Sequence, residues 1–469
     1  MDVAKSRRSG RHAHRANFVV RRSIFLMAAT GRHARPRDSL ARNSFFLIAA
    51  TIVTSVLGYV FWALAARMYP SAVIGEAGAG VSAMSFASLL GAVGGSWAII
   101  SELPAKRRPY EWSATVTTAL VFTSLTSATA ALGTVVVLAR TGNSAFLYRD
   151  AWWIAAFVVG VVATTASQLL ENIWVAERQA GWFLGASSLF AVTKLALVAV
   201  PVLVVFGATG ILSIWSAVLA ATVAGCLLVL ARMYDYRPRF SGFRQQIWAM
   251  RRTLAGNYAI TVGDQITLYL IPVVVAFQVS PSAAGWFYAS WKIGGFYAVF
   301  ASAVGSTTFA EGSHTPERAL PVAISGMKLI LPLIAVGAAV TIFGGRLVLH
   351  IFGPGYADHG YLLLVMLSLA AFPDAVVNIY RSVLRVRRRY KTATAICWTI
   401  SIVRIALTWL AVARFGIVGA GWAWLITQTG GAIWCLLDLA VHRAPPALPA
   451  THDDDSILDQ TLELRRIEW

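Results

Sequence analysis

Long apolar runs separated by short clusters of charge fill this sequence almost from end to end. Twelve of the runs reach the ~20 residues a helix needs to cross the hydrocarbon core of a bilayer. They fall at about 44–66, 77–100, 114–138, 151–173, 183–206, 211–231, 255–279, 285–309, 320–344, 360–382, 393–413 and 417–440. In lipid a spanning segment has to satisfy its own backbone amides, and at this length it does so as a helix. Only "FGATG" separates the fifth and sixth runs, and "RFG" the last two. Such tight connections predict antiparallel helical hairpins. The pattern therefore predicts an all-α polytopic membrane protein of about 12 transmembrane helices.

The second half of the pattern repeats the first. "FGATGILSIWSAVLAATVAGCLL" (206–228) aligns with "FGIVGAGWAWLITQTGGAIWCLL" (415–437). Phe206, Gly207, Gly210, Trp215, Cys226, Leu227 and Leu228 recur as Phe415, Gly416, Gly419, Trp424, Cys435, Leu436 and Leu437, all at an offset of 209. Lys194-Leu195-Ala196-Leu197 becomes Arg404-Ile405-Ala406-Leu407 at an offset of 210, and Gly75 matches Gly285 at the same offset. The chain thus divides into two six-helix lobes, 44–231 and 255–440, joined by a basic linker, 232–254, and flanked by tails 1–43 and 441–469. Six is even, so both lobes insert with the same orientation, as parallel repeats about a pseudo-two-fold axis along the membrane normal. Two such bundles can rock about a site between them and open it to each side in turn.

Composition fits this reading: 57% of residues are hydrophobic and 13% charged, where a soluble domain carries about 25% charged residues. The net charge of +19 would point to nucleic acid in a soluble protein. Here its placement is a topology signal. The connections expected outside hold five Lys/Arg (Arg67, Arg140, Arg149, Arg346, Arg414), against 31 in the inner connections and both tails. Positive charge marks the cytoplasmic side, so both termini are expected there. The run Arg381, Arg385, Arg387, Arg388, Arg389, Lys391 is counted with the inner connections. The tail 1–43 carries eleven Lys/Arg and reads as a disordered segment able to touch anionic lipid. Its "RRSIFLMAAT" imitates a secretion signal, but the apolar part is short and more arginines follow, so cleavage is not expected. Met27 is an alternative start. Cys226, Cys397 and Cys435 lie in apolar runs without metal-ligand spacing, which supports neither a disulfide framework nor a zinc site.

Six ionisable groups stand out inside the runs: Lys194, Lys292, Lys328, Arg404, Asp264 and Asp374. A charge facing lipid is costly, so such groups face a wet cavity or a neighbouring helix. With four cations to two acids, a cavity lined by them would be cationic and would suit phosphate oxygens, which lysine meets as a point charge and arginine as a fork. Lys194, Arg404 and Lys292 are the candidate substrate ligands. The plainer reading of each is a structural ion pair or a side chain snorkelling to the interface, and that reading is preferred for Lys328. Asn257, Thr261, Asp264 and Gln265 form a polar stripe at helical spacing on the seventh run. Asp264 and Asp374 are the candidate coupling or gating groups, for a proton, a sodium ion or a partner cation; the alternative is a packing hydrogen bond between helices. Pro272 leaves a carbonyl unpaired and marks a bend. The eighth run adds Tyr288, Lys292 and Gly295 on one face. Gly91 and Gly95 read first as a close-packing pair. Most of the 17 tryptophans read as interfacial anchors, leaving Trp62, Trp182 and Trp291 as candidates for the site. No P-loop, nucleophile elbow or zinc motif stands out. No cofactor is expected beyond a coupling H+ or Na+, and transport would draw on an ion gradient, the membrane potential or downhill consumption of substrate.

The layout resembles the polysaccharide-transporter branch of the multidrug/oligosaccharidyl-lipid/polysaccharide (MOP) exporter superfamily. The resemblance covers roughly 40–440 and rests on local stretches. "LGYVFWALAARMYPSAVIGEAG" (57–78) is similar to the family's first hairpin. "GDQITLYLIPVVVAFQVSPSAAGWFYASWKI" (263–293) is similar to its seventh and eighth spans, with a turn, Gly285-Trp286-Phe287-Tyr288-Ala289, one residue longer than the family's. "LVLHIFGPGYADHGYLLLVMLSLA" (347–370) resembles its outer loop between spans nine and ten. The resemblance implies a MATE-like fold in the bacterial inner membrane. It implies a flippase moving undecaprenyl-diphosphate-linked oligosaccharide for O-antigen, capsule or exopolysaccharide, with the lipid-linked glycan, membrane lipid and polysaccharide-assembly proteins as partners.

Two other readings compete. A multidrug/cation antiporter of the same superfamily would call for a more acidic cavity. A membrane polysaccharide polymerase or ligase would call for a large outer loop carrying Arg or His; the longest outer connection here, 345–359, holds Arg346, His350, Asp358 and His359. An enzyme is therefore not expected.

Overall fold

The computed structural model describes residues 36–140 and 151–442, apart from residue 107 and most of 299–318. The tails fall outside the described residues except for 36–43 and 441–442. The described residues contain thirteen α-helices and no strand. In the first half these are α1 Pro36–Met68, α2 Ser71–Gly91, α3 Gly95–Glu102, α4 Pro109–Arg140, α5 Ala151–Ala176, α6 Ala180–Val198 and α7 Gly207–Met233. The second half has α8 Phe243–Gln278, α9 Pro281–Gly294, α10 Ala319–His350, α11 Tyr356–Val386, α12 Tyr390–Phe415 and α13 Ile417–Val441. Among the described residues, eleven helices are long and apolar enough to cross a membrane. They correspond to every expected run except the eighth, which begins as α9 and then enters the stretch that is mostly outside the described residues.

Each half is packed mainly within itself. In the first, α1 packs on α6, α5 on α7 and α4, and α2 on α4 and α5. In the second, α11 packs on α10 and α13, and α12 on α8 and α13. The halves meet through α2, which lies against α9 and α8.

The sequence repeat reappears in the backbone. Gly207 (φ 53, ψ −137) and Gly416 (φ 59, ψ −147) adopt the same left-handed turn at the start of α7 and α13, a conformation that only glycine enters without strain. Arg178 (φ 56) and Arg388 (φ 54), 210 apart, both have positive φ. The turns around them carry matching hydrogen bonds, Gln179 N to Trp174 O (2.7 Å) and Arg389 N to Leu384 O (2.9 Å). Pro70 (φ −56, ψ 149) and Ser280 (φ −62, ψ 152) cap α2 and α9 with the same extended geometry.

Some boundaries differ from the apolar pattern. The second run was expected to reach residue 100, but α2 ends at Gly91, Gly94 turns the chain with φ 72, and α3 restarts at Gly95. Gly91 and Gly95 therefore stand on two helices, although both still pack closely on α4, at Ser127 and Thr123. The basic linker is helical from Phe243 onward as the leading part of α8; its charges hide it from an apolar search. The outer connection expected at 345–359 shortens to residues 351–355 between α10 and α11. Arg381, counted above with an inner loop, is a buried residue of α11.

Candidate functional site

A cavity of about 280 Å3 lies between the halves, lined from α1 by Thr54, Ser55, Tyr59 and Trp62, from α6 by Lys194, from α7 by Trp215, and from the α9 end by Lys292 and Gly295. Two of its lining residues are cations, one from each half, and none is an acid. Lys194 is only 4% exposed, yet its Nζ meets aromatic rings instead of a carboxylate. It stands 3.8 Å from the ring centroid of Trp215, 4.5 Å from that of Phe190 and 5.2 Å from that of Phe61. Aromatic faces hold a cation without neutralising it, so the ammonium stays available to an anion in the cavity. Lys292 is exposed to the cavity and lies 5.1 Å over the Tyr288 ring. Tyr288 itself is buried against Trp62, with ring centroids 4.7 Å apart; it supports the cavity from beneath.

Arg404, the repeat mate of Lys194, occupies a matching local setting. Its guanidinium stands 3.8 Å over Trp424, and Trp424 is the repeat mate of Trp215. Arg404 does not reach the cavity between the halves. It is 3% exposed inside the second half, donating from Nε to Thr427 Oγ1 (3.0 Å) and from Nη1 to Thr267 Oγ1 (3.1 Å). The structure thus separates the two symmetry-related cations: Lys194 borders a space open to a ligand, and Arg404 belongs to a buried network.

Both candidate acids lie close by, in a neighbouring network. Asp264 on α8 is ion-paired with Arg381 of α11, which also donates to Asn378. Asp374 accepts from the side chains of Gln428 and Asn378. Arg385, half-buried one turn along α11 from Arg381, adds a third arginine to the two acids, and neither acid is a free carboxylate. Ser401 Oγ ties α12 to α8 by donating to the Gly263 carbonyl (2.5 Å). On the polar stripe, Thr261 and Gln265 are half-buried. Asn257 lies on α8 in the stretch 249–257, whose side chains are outside the described residues. Lys328 is exposed on α10. Of the three tryptophans singled out above, Trp62 lines the cavity, Trp182 stacks on Trp174, and Trp291 is buried against Trp424.

Four residues escaped the sequence reading. Trp215 and Trp424 were visible as repeat mates, but nothing in the spacing announced that they carry the two cations. Arg381 was hidden in a run of loop arginines. Glu171 lies inside the span α5 and should have been counted among the interior acids.

The halves are bonded at both ends of the bundle. At one end Arg67 of α1 donates to the last carbonyls of α10, from Nη2 to His350 O and from Nε to Ile351 O, both at 2.8 Å. A cation is favoured at a helix C-terminus, where carbonyls lack partners. At the other end Tyr258 of α8 donates to the Leu90 carbonyl of α2 (2.9 Å).

No family model matches the chain. A probable flippase, AglR, from Haloferax volcanii is 22% identical over 191 residues, which is 38% of this chain and 39% of that protein. The chain therefore matches well under half the length of that relative. Among solved structures, the lipid II flippase MurJ in an inward closed conformation superposes with a TM-score of 0.67 at 14% identity, covering 84% of this chain and 87% of MurJ. An inward-facing multidrug resistance MATE family transporter of the MOP superfamily superposes with a TM-score of 0.63 at 13% identity, covering 84% of this chain and 98% of that one. These relatives and neighbours are transporters and flippases. This chain carries the all-α, multi-pass fold of the MOP superfamily transporters.

Proposed function

We propose that the protein is a flippase for a lipid-linked oligosaccharide, moving an undecaprenyl-diphosphate-linked repeat unit across the bacterial inner membrane by alternating access. The observation that carries this reading is the cavity between the halves, where Lys194 and Lys292 face a common space with no acid in the lining. A diphosphate head group is the natural guest of two lysines that no carboxylate pairs. A cationic drug would be repelled there, which weighs against the antiporter reading. Each half contributes one lysine, so relative movement of the halves would change the spacing of the two charges and couple substrate binding to the rocking motion. Both termini are assigned to the cytoplasm on the Lys/Arg distribution, which puts the Arg67 end outside and the Tyr258 end inside.

The direct experiment is reconstitution into liposomes with a fluorescent undecaprenyl-diphosphate saccharide. Protein-dependent translocation that an organic cation does not inhibit is the expected result. Ion-driven efflux of an organic cation, with no movement of the lipid diphosphate, would favour the antiporter reading instead.

A further inference from the structure

Val93 has a backbone conformation that a β-branched residue rarely adopts. It lies in the break between α2 and α3 with φ 40, and Gly94 follows with φ 72. Left-handed backbone crowds a Cβ, and a branched one most of all. Glycine enters that region freely at the second position, and valine does not at the first. A strained residue of this kind persists only where its surroundings impose it.

The surroundings here are groups that hold the carbonyls freed by the break. In an unbroken helix Leu89, Leu90 and Gly91 would each accept from the amide four residues on. Instead the Gly95 amide bonds to the Ala92 carbonyl (2.8 Å). Thr126 of α4 takes the Gly91 carbonyl through its Oγ1 (2.5 Å). The other two are taken from the opposite half, where the Tyr258 hydroxyl of α8 donates to Leu89 O (3.1 Å) and Leu90 O (2.9 Å). Beyond the break, α3 lies against α5 and, across the boundary, against α8. The second half therefore holds the break from both of its sides. On the α2 side Gly91 leaves no room for a Cβ against the Ser127 backbone of α4, which fixes that end and leaves the movement to α3.

We propose that the α2–α3 break is a two-state gate, bent while the halves meet at the Tyr258 end and drawn into one continuous helix when they part. Parting takes the Tyr258 hydroxyl from the Leu89 and Leu90 carbonyls and α8 from the side of α3. The bent form then loses the contacts that offset the strain at Val93. Buried carbonyls require donors, and continuing the helix through residues 92–94 supplies them from the chain itself. Straightening carries α3 away from α8 and opens that end. The gate rests on the rocking of the halves proposed above and not on what they carry.

The test reads the labelling of Ser55→Cys, on the cavity wall, by an impermeant thiol reagent applied from the Tyr258 end. No substrate is present, and the chain without Ser55→Cys is the blank. Tyr258→Phe should raise the rate. Val93→Gly added to it relieves strain in the bent form and should lower the rate again, by about five- to thirtyfold for one left-handed residue. Gly94→Ala puts a Cβ at φ 72 and favours the continuous helix, so on its own it should raise the rate above that of wild type. A fixed turn predicts otherwise: Val93→Gly would raise the thermal midpoint and Gly94→Ala would lower it, with labelling unchanged. That result, no rise in Tyr258→Phe, or shifts in one direction from Val93→Gly and Gly94→Ala would overturn the gate. If Gly94→Ala does not fold, the reversal of Tyr258→Phe by Val93→Gly decides alone. Translocation of a lipid diphosphate is a separate measurement, which can fail with the gate intact and succeed without it.

Discussion

Gly75 on α2 and Gly285 on α9 meet across the boundary between the halves with no room for a side chain on either. A Cβ on Gly75 would strike the Pro281 carbonyl oxygen, and one on Gly285 would strike the Ser71 carbonyl oxygen. Ser71 and Pro281 are 210 apart, as are Gly75 and Gly285. The contact is therefore reciprocal, as at an isologous interface about a two-fold axis. One helical turn further along, Gly78 packs under the ring of its own repeat mate, Tyr288. The pseudo-two-fold axis passes between these two helices.

This interface makes Gly75 and Gly285 intolerant of size. Gly75→Leu or Gly285→Leu should lower stability by ~1–3 kcal/mol or more, because inserted carbons strain a closely packed contact. Gly133→Leu, at a position with nothing within 4 Å, is the control and should change little. Thermal unfolding in detergent reads the difference; equal midpoints for all three would contradict the interface.

The Asp264–Arg381 pair is predicted to be structural. Breaking a buried pair leaves an uncompensated charge and costs ~3–5 kcal/mol. The cost should be greater for Asp264→Asn, because the Arg381 side chain left behind is 8% exposed, against 34% for Asp264. Asp264→Asn with Arg381→Gln should recover much of the loss. Transport that fails per folded molecule in Asp264→Asn, with stability unchanged, would return Asp264 to a coupling role.

The contacts that close the two ends should oppose each other. Arg67→Ala removes two hydrogen bonds between α1 and α10 and should raise the labelling of a cysteine at Ser55, on the cavity wall, from the Arg67 end. Tyr258→Phe removes a bond between α8 and α2 and should raise it from the Tyr258 end. The same shift from both variants would argue against alternating access.

Orientation is open to direct labelling. A cysteine at Ser282 should react with an impermeant thiol reagent added outside intact cells, and one at Ser241 should not. Outside labelling of Ser241 would reverse the assignment of both ends.

The fold was largely legible because membrane spans are written in composition over some twenty residues, and the repeat because turn glycines such as Gly207 and Gly416 cannot be exchanged cheaply. The site was legible only in part. Lys194 and Arg404 announced themselves by charge in an apolar run, but charge alone cannot say which faces a cavity. That depends on packing between α1, α6 and α9 for Lys194, and on Thr267 and Thr427 for Arg404. Arg381 was misread because loop and helix-end arginines look alike until α11 is seen to run to Val386. Pairing across distant segments, as of Asp264 with Arg381, leaves no local trace.

Whether Lys194 and Lys292 hold an anionic head group is read in the affinity for an undecaprenyl-diphosphate saccharide. Each charged hydrogen bond lost to phosphate should cost ~1.5–3 kcal/mol, or about ten- to a hundredfold in Kd. Lys194→Gln and Lys292→Gln should each weaken binding within that range, the double variant more than either, and Lys194→Arg should retain part of it. Arg404→Gln should lower the thermal midpoint and leave the affinity of the folded fraction near that of wild type. Wild-type affinity in the folded Lys194→Gln/Lys292→Gln protein would contradict the account.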